Sequence, residues 1–94
     1  MNYLDFDLGY LTGGEIVTVT LSGVESDVML MSGSDVRRFA AGGQFNYWGG
    51  HYSRSPAKIA VPSVGDWHVV VVPGLGGRVK ASVSISGSRK VAGF

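Results

Sequence analysis

Apolar and polar residues alternate along most of the chain. In Leu4-Asp5-Phe6-Asp7-Leu8 the apolar positions face one way and the two carboxylates the other, which predicts a half-buried strand ending at Gly9. Thr12-Gly13-Gly14 supplies a turn. Glu15 to Ser22 repeats the pattern, with Val17, Val19 and Leu21 on one side and Thr18 and Thr20 on the other. Asp27 to Ser32 is apolar on both faces, Val28 and Leu30 opposite Met29 and Met31, and predicts a central or covered strand. Gln44 to Trp48 predicts a fourth strand, broken or bulged at Gly49-Gly50. Ala57 to Val61 is bracketed by Pro56 and Pro62, as suits an edge strand. Trp67 to Val72 is the most hydrophobic run and predicts a central strand. Arg78 to Ser86 alternates Val79, Ala81, Val83 and Ile85 with Arg78, Lys80, Ser82 and Ser84. The Pro73-Gly74-Leu75-Gly76-Gly77 segment between these two reads as a hairpin turn.

One segment has helical character. Ser34 can cap about two turns over Asp35 to Ala41, with Gly42-Gly43 ending them. Val36, Phe39 and Ala40 share a stripe, and a segment this short needs tertiary contacts, here through Phe39. Seven to eight short strands with one helical turn predict an all-β fold, an antiparallel β-sandwich that is jelly-roll-like or immunoglobulin-like in outline. The expected core is Val17, Val19, Leu21, Trp67, Val69, Val71, Val79, Val83 and Ile85. Residues 1–94 read as a single domain, with 86–94 as a frayed tail.

Composition narrows the class. The 94 residues are 45% hydrophobic and 16% charged, which excludes a disordered chain, and the absence of Cys excludes a disulfide scaffold. Lack of Cys fits a reducing compartment, and runs such as Val69 to Val72 fall far short of the roughly 20 residues a membrane helix needs. The expectation is a cytoplasmic protein with no membrane partner. A domain this small buries a small core, and its net charge is only +1, so a homodimer is expected, with the strand between Pro56 and Pro62 as the available edge. Six acids and no Lys or Arg lie in residues 1–36, whereas residues 37–94 hold eight basic residues and Asp66. Pairing across strands accounts for this asymmetry, with an anion-seeking patch as the alternative; the basic residues are scattered along the chain, so a nucleic-acid partner is not expected.

Candidate chemistry is sparse. His51 and His68 are the only histidines and have no ligand-like spacing, so neither a metal nor a cofactor is predicted. No Ser sits in a Gly-x-Ser-x-Gly elbow, and Gly74-Leu75-Gly76-Gly77 precedes a strand rather than the helix a phosphate loop requires, so an enzyme is not expected. Asp5 and Asp7 share one strand face. The stretch from Phe45 to Pro56 is the most unusual, because it gathers aromatic rings with an imidazole and a guanidinium. Tyr47, Trp48, His51, Tyr52 and Arg54 form the candidate surface for a ligand or partner, since such groups contact planar or anionic ligands and also build protein–protein hot spots. Core packing and a structured turn are the competing explanation for the same rings. The strand face carrying Arg78 and Lys80 is the second candidate.

Several motifs occur together in order: Asp5-Phe6-Asp7-Leu8-Gly9-Tyr10-Leu11, Gly14-Glu15-Ile16-Val17-Thr18-Val19-Thr20-Leu21-Ser22-Gly23, Tyr47-Trp48-Gly49-Gly50, Arg54-Ser55-Pro56 and Gly65-Asp66-Trp67-His68-Val69-Val70-Val71. In these residues the chain resembles a small bacterial domain family of unknown function, whose members stand alone or are fused to TIR signalling domains. The resemblance covers about residues 3–86. It implies an accessory binding or sensing module and carries over no catalytic residue. Where members tend to have an Asp-Leu-Gly-Gly hairpin, this chain has Val72-Pro73-Gly74-Leu75-Gly76-Gly77. The reading is a binding or interaction module for an unknown protein or small molecule. The alternatives are a small-molecule or nucleotide sensor, with Arg54, His51 and Trp48 at its pocket, and a structural homo-oligomer.

Overall fold

The structure, a computed structural model, describes residues 2–87. Its elements in chain order are β1 (Leu4–Leu11), β2 (Ile16–Gly23), β3 (Ser26–Ser32), α1 (Gly33–Ala40), β4 (Trp48–Tyr52), β5 (Ala57–Ala60), β6 (Gly65–Pro73) and β7 (Val79–Ser86). They form a four-stranded sheet in the order β1-β6-β3-β4 and a three-stranded sheet in the order β5-β2-β7. Every strand pairing is antiparallel. The all-β expectation therefore holds, with seven strands and one short helix.

The chain changes sheet at every connection except β3 to β4, where α1 intervenes. The Gly74–Gly77 segment is therefore a crossover between sheets and not the expected hairpin: β6 pairs with β1 and β3, and β7 pairs with β2. Local turn chemistry reverses the chain in either case; which strand it then meets is set by core packing.

Two apolar clusters explain the strands that are hydrophobic on both faces. Between the sheets lie Val17 and Val19 of β2, Val28 and Leu30 of β3, Ala57 and Ile59 of β5, and Trp67, Val69 and Val71 of β6. On the opposite face of the larger sheet, Met29, Met31 and Val70 pack under Val36 and Phe39 of α1. Tyr3 and Phe45 extend this layer through edge-on contacts with Phe39, at centroid distances of 5.0 and 5.1 Å. Of the expected core, Leu21, Val79 and Val83 are only partly buried and Ile85 is exposed. All but Leu21 lie on β7, an outermost strand with nothing beyond it among the described residues to complete their cover.

The helix begins one turn-signal earlier than expected. Ser32, and not Ser34, is the cap: its hydroxyl accepts from the Asp35 N–H and donates to the Asp35 carboxylate. Asp35 and Phe39 are buried while Ala40 is exposed, because Asp35 faces a neighbouring loop instead of water. Residues 44–47 are not a strand. They form a loop that seats Phe45 beside Phe39, and the strand runs instead through Gly49-Gly50 to Tyr52. Gly9 does not end β1 either; the register shifts between Asp7 and Gly9, Gly9 adopts a φ of 74° and donates its N–H to Asp7 Oδ1 at 2.9 Å, and the strand continues to Leu11. The expected strand over 57–61 is an edge, as β5. Ser86 belongs to β7, and the rest of the expected frayed tail, 88–94, lies outside the described residues.

Buried Glu15 holds the β1–β2 connection. Its carboxylate accepts from the Thr12 N–H and hydroxyl, each at 2.9 Å, and from the Gly13 N–H at 2.7 Å. The Thr12 N–H is the largest influence on its ionisation; burial opposes it, and the further donors leave the pKa lowered from 4.5 to about 2. A depressed carboxyl stabilises the fold above the ordinary value and loses that contribution as pH falls. Thermal melts between pH 5 and pH 2 should show stability declining across this window, and Glu15→Gln should lower the melting temperature at neutral pH while flattening the decline. A variant with the same acid limb as the parent would remove Glu15 from this role.

Candidate functional site

The ends of three strands meet the start of the helix at one end of the four-stranded sheet. Leu30 of β3 pairs with Trp48 of β4, and Ser32 pairs with Trp67 of β6. An open cleft of about 580 Å³ lies there, walled by Asn46, Tyr47 and Trp48 on one side and by Ser63 to Trp67 on the other, with Ser32 and Asp35 contributing from the helix start.

Each wall is braced. Trp67 is buried and donates its indole N–H to the Ser63 carbonyl at 3.0 Å, which ties the β5–β6 loop to the core. The Trp48 ring meets Trp67 edge-on, with centroids 5.5 Å apart and planes at 78°. Asp35 accepts from the Asn46 N–H at 3.2 Å and from Arg38 at 2.9 Å, so it anchors the returning loop to the helix. Burial pushes the Asp35 carboxyl up, but the Asn46 N–H, the Ser32 hydroxyl and Arg38 together outweigh it and hold the pKa below its ordinary value. Asp35 is therefore an ionised structural strut.

What remains for a ligand is aromatic and acidic. Tyr47 and Trp48 are 47% and 44% exposed, a large fraction for rings in so small a domain. Tyr10 is also exposed and stands directly across the β1–β6 ladder from Asp66. Asp66 is exposed, and among the described residues no Lys, Arg or His lines the cleft. The arrangement presents ring faces beside a carboxylate whose charge no described lining residue neutralises.

The five candidate residues of the aromatic segment do not share this surface. Strand alternation takes His51 to the other face from Trp48 and Tyr52, and the length of β4 separates Trp48 from Tyr52. Tyr47 and Trp48 line the cleft, Tyr52 turns inward and packs against the inter-sheet core, and exposed Arg54 lies in the β4–β5 loop outside the cleft. His51 is on the far face of the larger sheet, where Nδ1 contacts Asp27 at 2.9 Å and Nε2 contacts Glu25. Glu25 first and Asp27 second raise its pKa above the ordinary 6.5. The second candidate pair is also apart from the cleft: Arg78 precedes β7, and Lys80 stands on the solvent face of the smaller sheet opposite Ser22.

His68 has a similar arrangement to His51, with Nδ1 2.8 Å from Asp5 and Nε2 3.9 Å from Asp7. The acids of residues 1–36 thus do pair across strands, Asp27 with His51 and Asp5 and Asp7 with His68, with histidines in place of Lys or Arg, while Asp35 pairs with Arg38 within the helix. No group of three or more His, Cys, Asp or Glu side chains among the described residues is arranged to hold a metal ion.

Sequence reasoning missed Asp66 and Asn46 as cleft residues and placed Trp67 only in the core. The Gly65-Asp66-Trp67 run read as turn followed by core; nothing local to it signals that Trp48, nineteen residues earlier, packs on the same indole. A family model described as a domain of unknown function, DUF1883, matches residues 1–90. The chain belongs to the DUF1883 family. This agrees with the resemblance seen in its ordered motifs. No curated protein matches the chain, and no solved structure does. In this DUF1883 chain both walls of the cleft come from motifs that carry the resemblance, Tyr47-Trp48-Gly49-Gly50 and Gly65-Asp66-Trp67. No helix among its described residues is long and apolar enough to cross a membrane.

Proposed function

We propose that this DUF1883 domain is a non-catalytic binding module that takes a cationic group, the guanidinium or alkylammonium of a partner molecule, into the Tyr47–Trp48–Asp66 cleft. The supporting observation is the combination of two exposed aromatic rings with a carboxylate that pairs with no cation among the described residues. A cation over an aromatic face gains roughly 0.5–2 kcal/mol, and a neighbouring carboxylate adds charge complementarity. The nucleotide-sensor alternative finds less support, because His51 lies on the opposite sheet face, Arg54 does not line the cleft, and no described lining residue is a cation for a phosphate. An accessory, sensing role fits a small domain whose ligand surface is an open cleft, and the TIR association implied by the resemblance suits it. The cysteine-free sequence is consistent with a cytoplasmic setting.

The test is an NMR titration of the folded chain with N-acetylarginine amide and with tetramethylammonium. The Trp48 indole and Tyr47 ring signals should shift with millimolar-range affinity. Trp48→Ala and Asp66→Asn should each weaken binding by about 2- to 30-fold, the ratio that 0.5–2 kcal/mol corresponds to. Raising the salt concentration should weaken it further, since Asp66 is exposed. Arg54→Ala should leave both binding and melting temperature nearly unchanged, as exposed substitutions alter stability by less than about 0.5 kcal/mol. Shifts that are absent, or that survive both cleft substitutions, would refute the proposal.

A further inference from the structure

We propose that two copies of this chain pair antiparallel through the edge of β7, which pairs with no further strand among the described residues, so that the two β5-β2-β7 sheets become one continuous six-stranded sheet. A sheet edge offers unpaired N–H and C=O groups, and proteins that remain monomeric blunt such edges with prolines, bulges, charges or short length. Three of the four edges here are blunted. β5 has four residues between Pro56 and Pro62. β4 has five residues, two of them Gly49 and Gly50. β1 is bulged between Asp7 and Gly9 and carries Asp5 and Asp7. β7 carries one charge, Lys80, but is otherwise unprotected: it runs eight residues without proline or bulge, in unbroken register with β2 from Val79 to Ser86.

Among the described residues, the side of the sandwich next to β7 is also the open one. On the other side, β4 and β5 contact each other and are joined by a short loop, whose Ser55 hydroxyl accepts from the Leu21 N–H at 2.8 Å. β1 and β7 make no comparable contact. Phe6 and Leu8 of β1 and Val83 of β7 are left half-covered, and Ile85 is 41% exposed. A strand added to β7 from a second copy would satisfy the edge and bring its own Ile85 and Val83 over these residues.

The edge is complementary to itself. Its side chains are small hydroxyls on one face and apolar groups on the other, with Lys80 as its single charge. A two-fold axis at Ser82 sets Lys80 opposite Ser84 of the second copy, and one at Val83 sets it opposite Ser86; in neither register do like charges face each other. The chain's net charge of +1 offers little long-range repulsion. The dimer expected from composition is thereby placed on β7 and not on the proline-bracketed β5.

Sedimentation equilibrium of the full chain should give a dimer at high micromolar concentration. Ile85→Lys puts a charge into the new contact while altering a side chain the monomer leaves exposed, and it should raise the dimer dissociation constant about tenfold or more with an unchanged circular dichroism spectrum. Amide exchange of the unsubstituted chain gives an independent reading that does not depend on a variant folding: the β7 amides that point away from β2 should be protected at high concentration and exchange freely on dilution. A chain that stays monomeric, whether because the edge remains free or because residues 88–94 occupy it, overturns the proposal. So does a dimer in which those amides exchange freely at every concentration.

Discussion

Trp67→Ala should abolish stable folding at room temperature. The side chain is 4% exposed, the largest in the inter-sheet core, and it stands where β6 meets the β5–β6 loop. Truncating a buried Trp to Ala costs about 3–5 kcal/mol, from lost transfer free energy and the cavity left behind. A domain of this length has a total stability of about 5–14 kcal/mol at roughly 0.05–0.15 kcal/mol per residue, so the loss consumes about a fifth of the total at the least and approaches all of it for a domain near the lower end. The substitution also removes the hydrogen bond to the Ser63 carbonyl and the edge contact that positions Trp48. Chemical denaturation followed by circular dichroism measures the effect. Trp67→Phe keeps most of the volume but not the N–H, and should fall between the parent and the Ala variant. A cooperative transition for Trp67→Ala within about 1 kcal/mol of the parent would mean that this end of the core repacks without it.

Gly49→Ala and Gly50→Ala should differ sharply, although the residues are neighbours in one motif. Gly49 has a φ of 128°, where an L side chain is strained, and a Cβ there would run into the Val28 carbonyl oxygen and press on Ile59 Cδ1 at 3.2 Å. Backbone strain of this kind costs about 1–3 kcal/mol, and the forced displacement of β3 from β4 adds about as much again. At Gly50 a Cβ meets nothing within 4 Å, and its φ is not in the left-handed region, so Ala should be neutral within about 0.5 kcal/mol or slightly stabilising through the unfolded chain. Thermal melts of the two variants side by side decide the matter. Equal losses would show that the pair acts as a flexible unit, and equal tolerance would show that β3 and β4 can separate without cost.

The Gly49-Gly50 contrast illustrates where local reading stops. Adjacent glycines signal a bend or bulge, yet both lie inside a strand, and one of them is there because the β3 backbone and Ile59 of β5 come too close for a side chain. The aromatic segment behaved similarly. Alternation paired Phe45 with Tyr47, whose rings do lie 5.7 Å apart, but residues 44–47 form a loop and Trp48 lines the same cleft as Tyr47. The same alternation, carried on through β4, takes His51 and Tyr52 to opposite faces, so the five residues proposed from proximity in sequence cannot form one surface.

Elements that depend on neighbours two or four residues away were legible from the chain. Period-two patterning located the strands to within a few residues, apart from the fourth; the doubly apolar segments at Val28 to Met31 and Val69 to Val72 announced strands covered on both sides; and a capping hydroxyl followed by Phe39 announced the single helix. These features follow from backbone geometry and the burial of one face, which each segment encodes for itself. Strand order, the crossover at Gly74–Gly77, the pairing of His51 with Glu25 and Asp27, and the meeting of Trp48, Trp67 and Asp66 at one cleft were decided only by tertiary packing. Many strand orders satisfy the same alternation, and the one adopted is selected by how two sheets and a helix together bury Trp67, Met31 and Phe39, a condition no single segment carries.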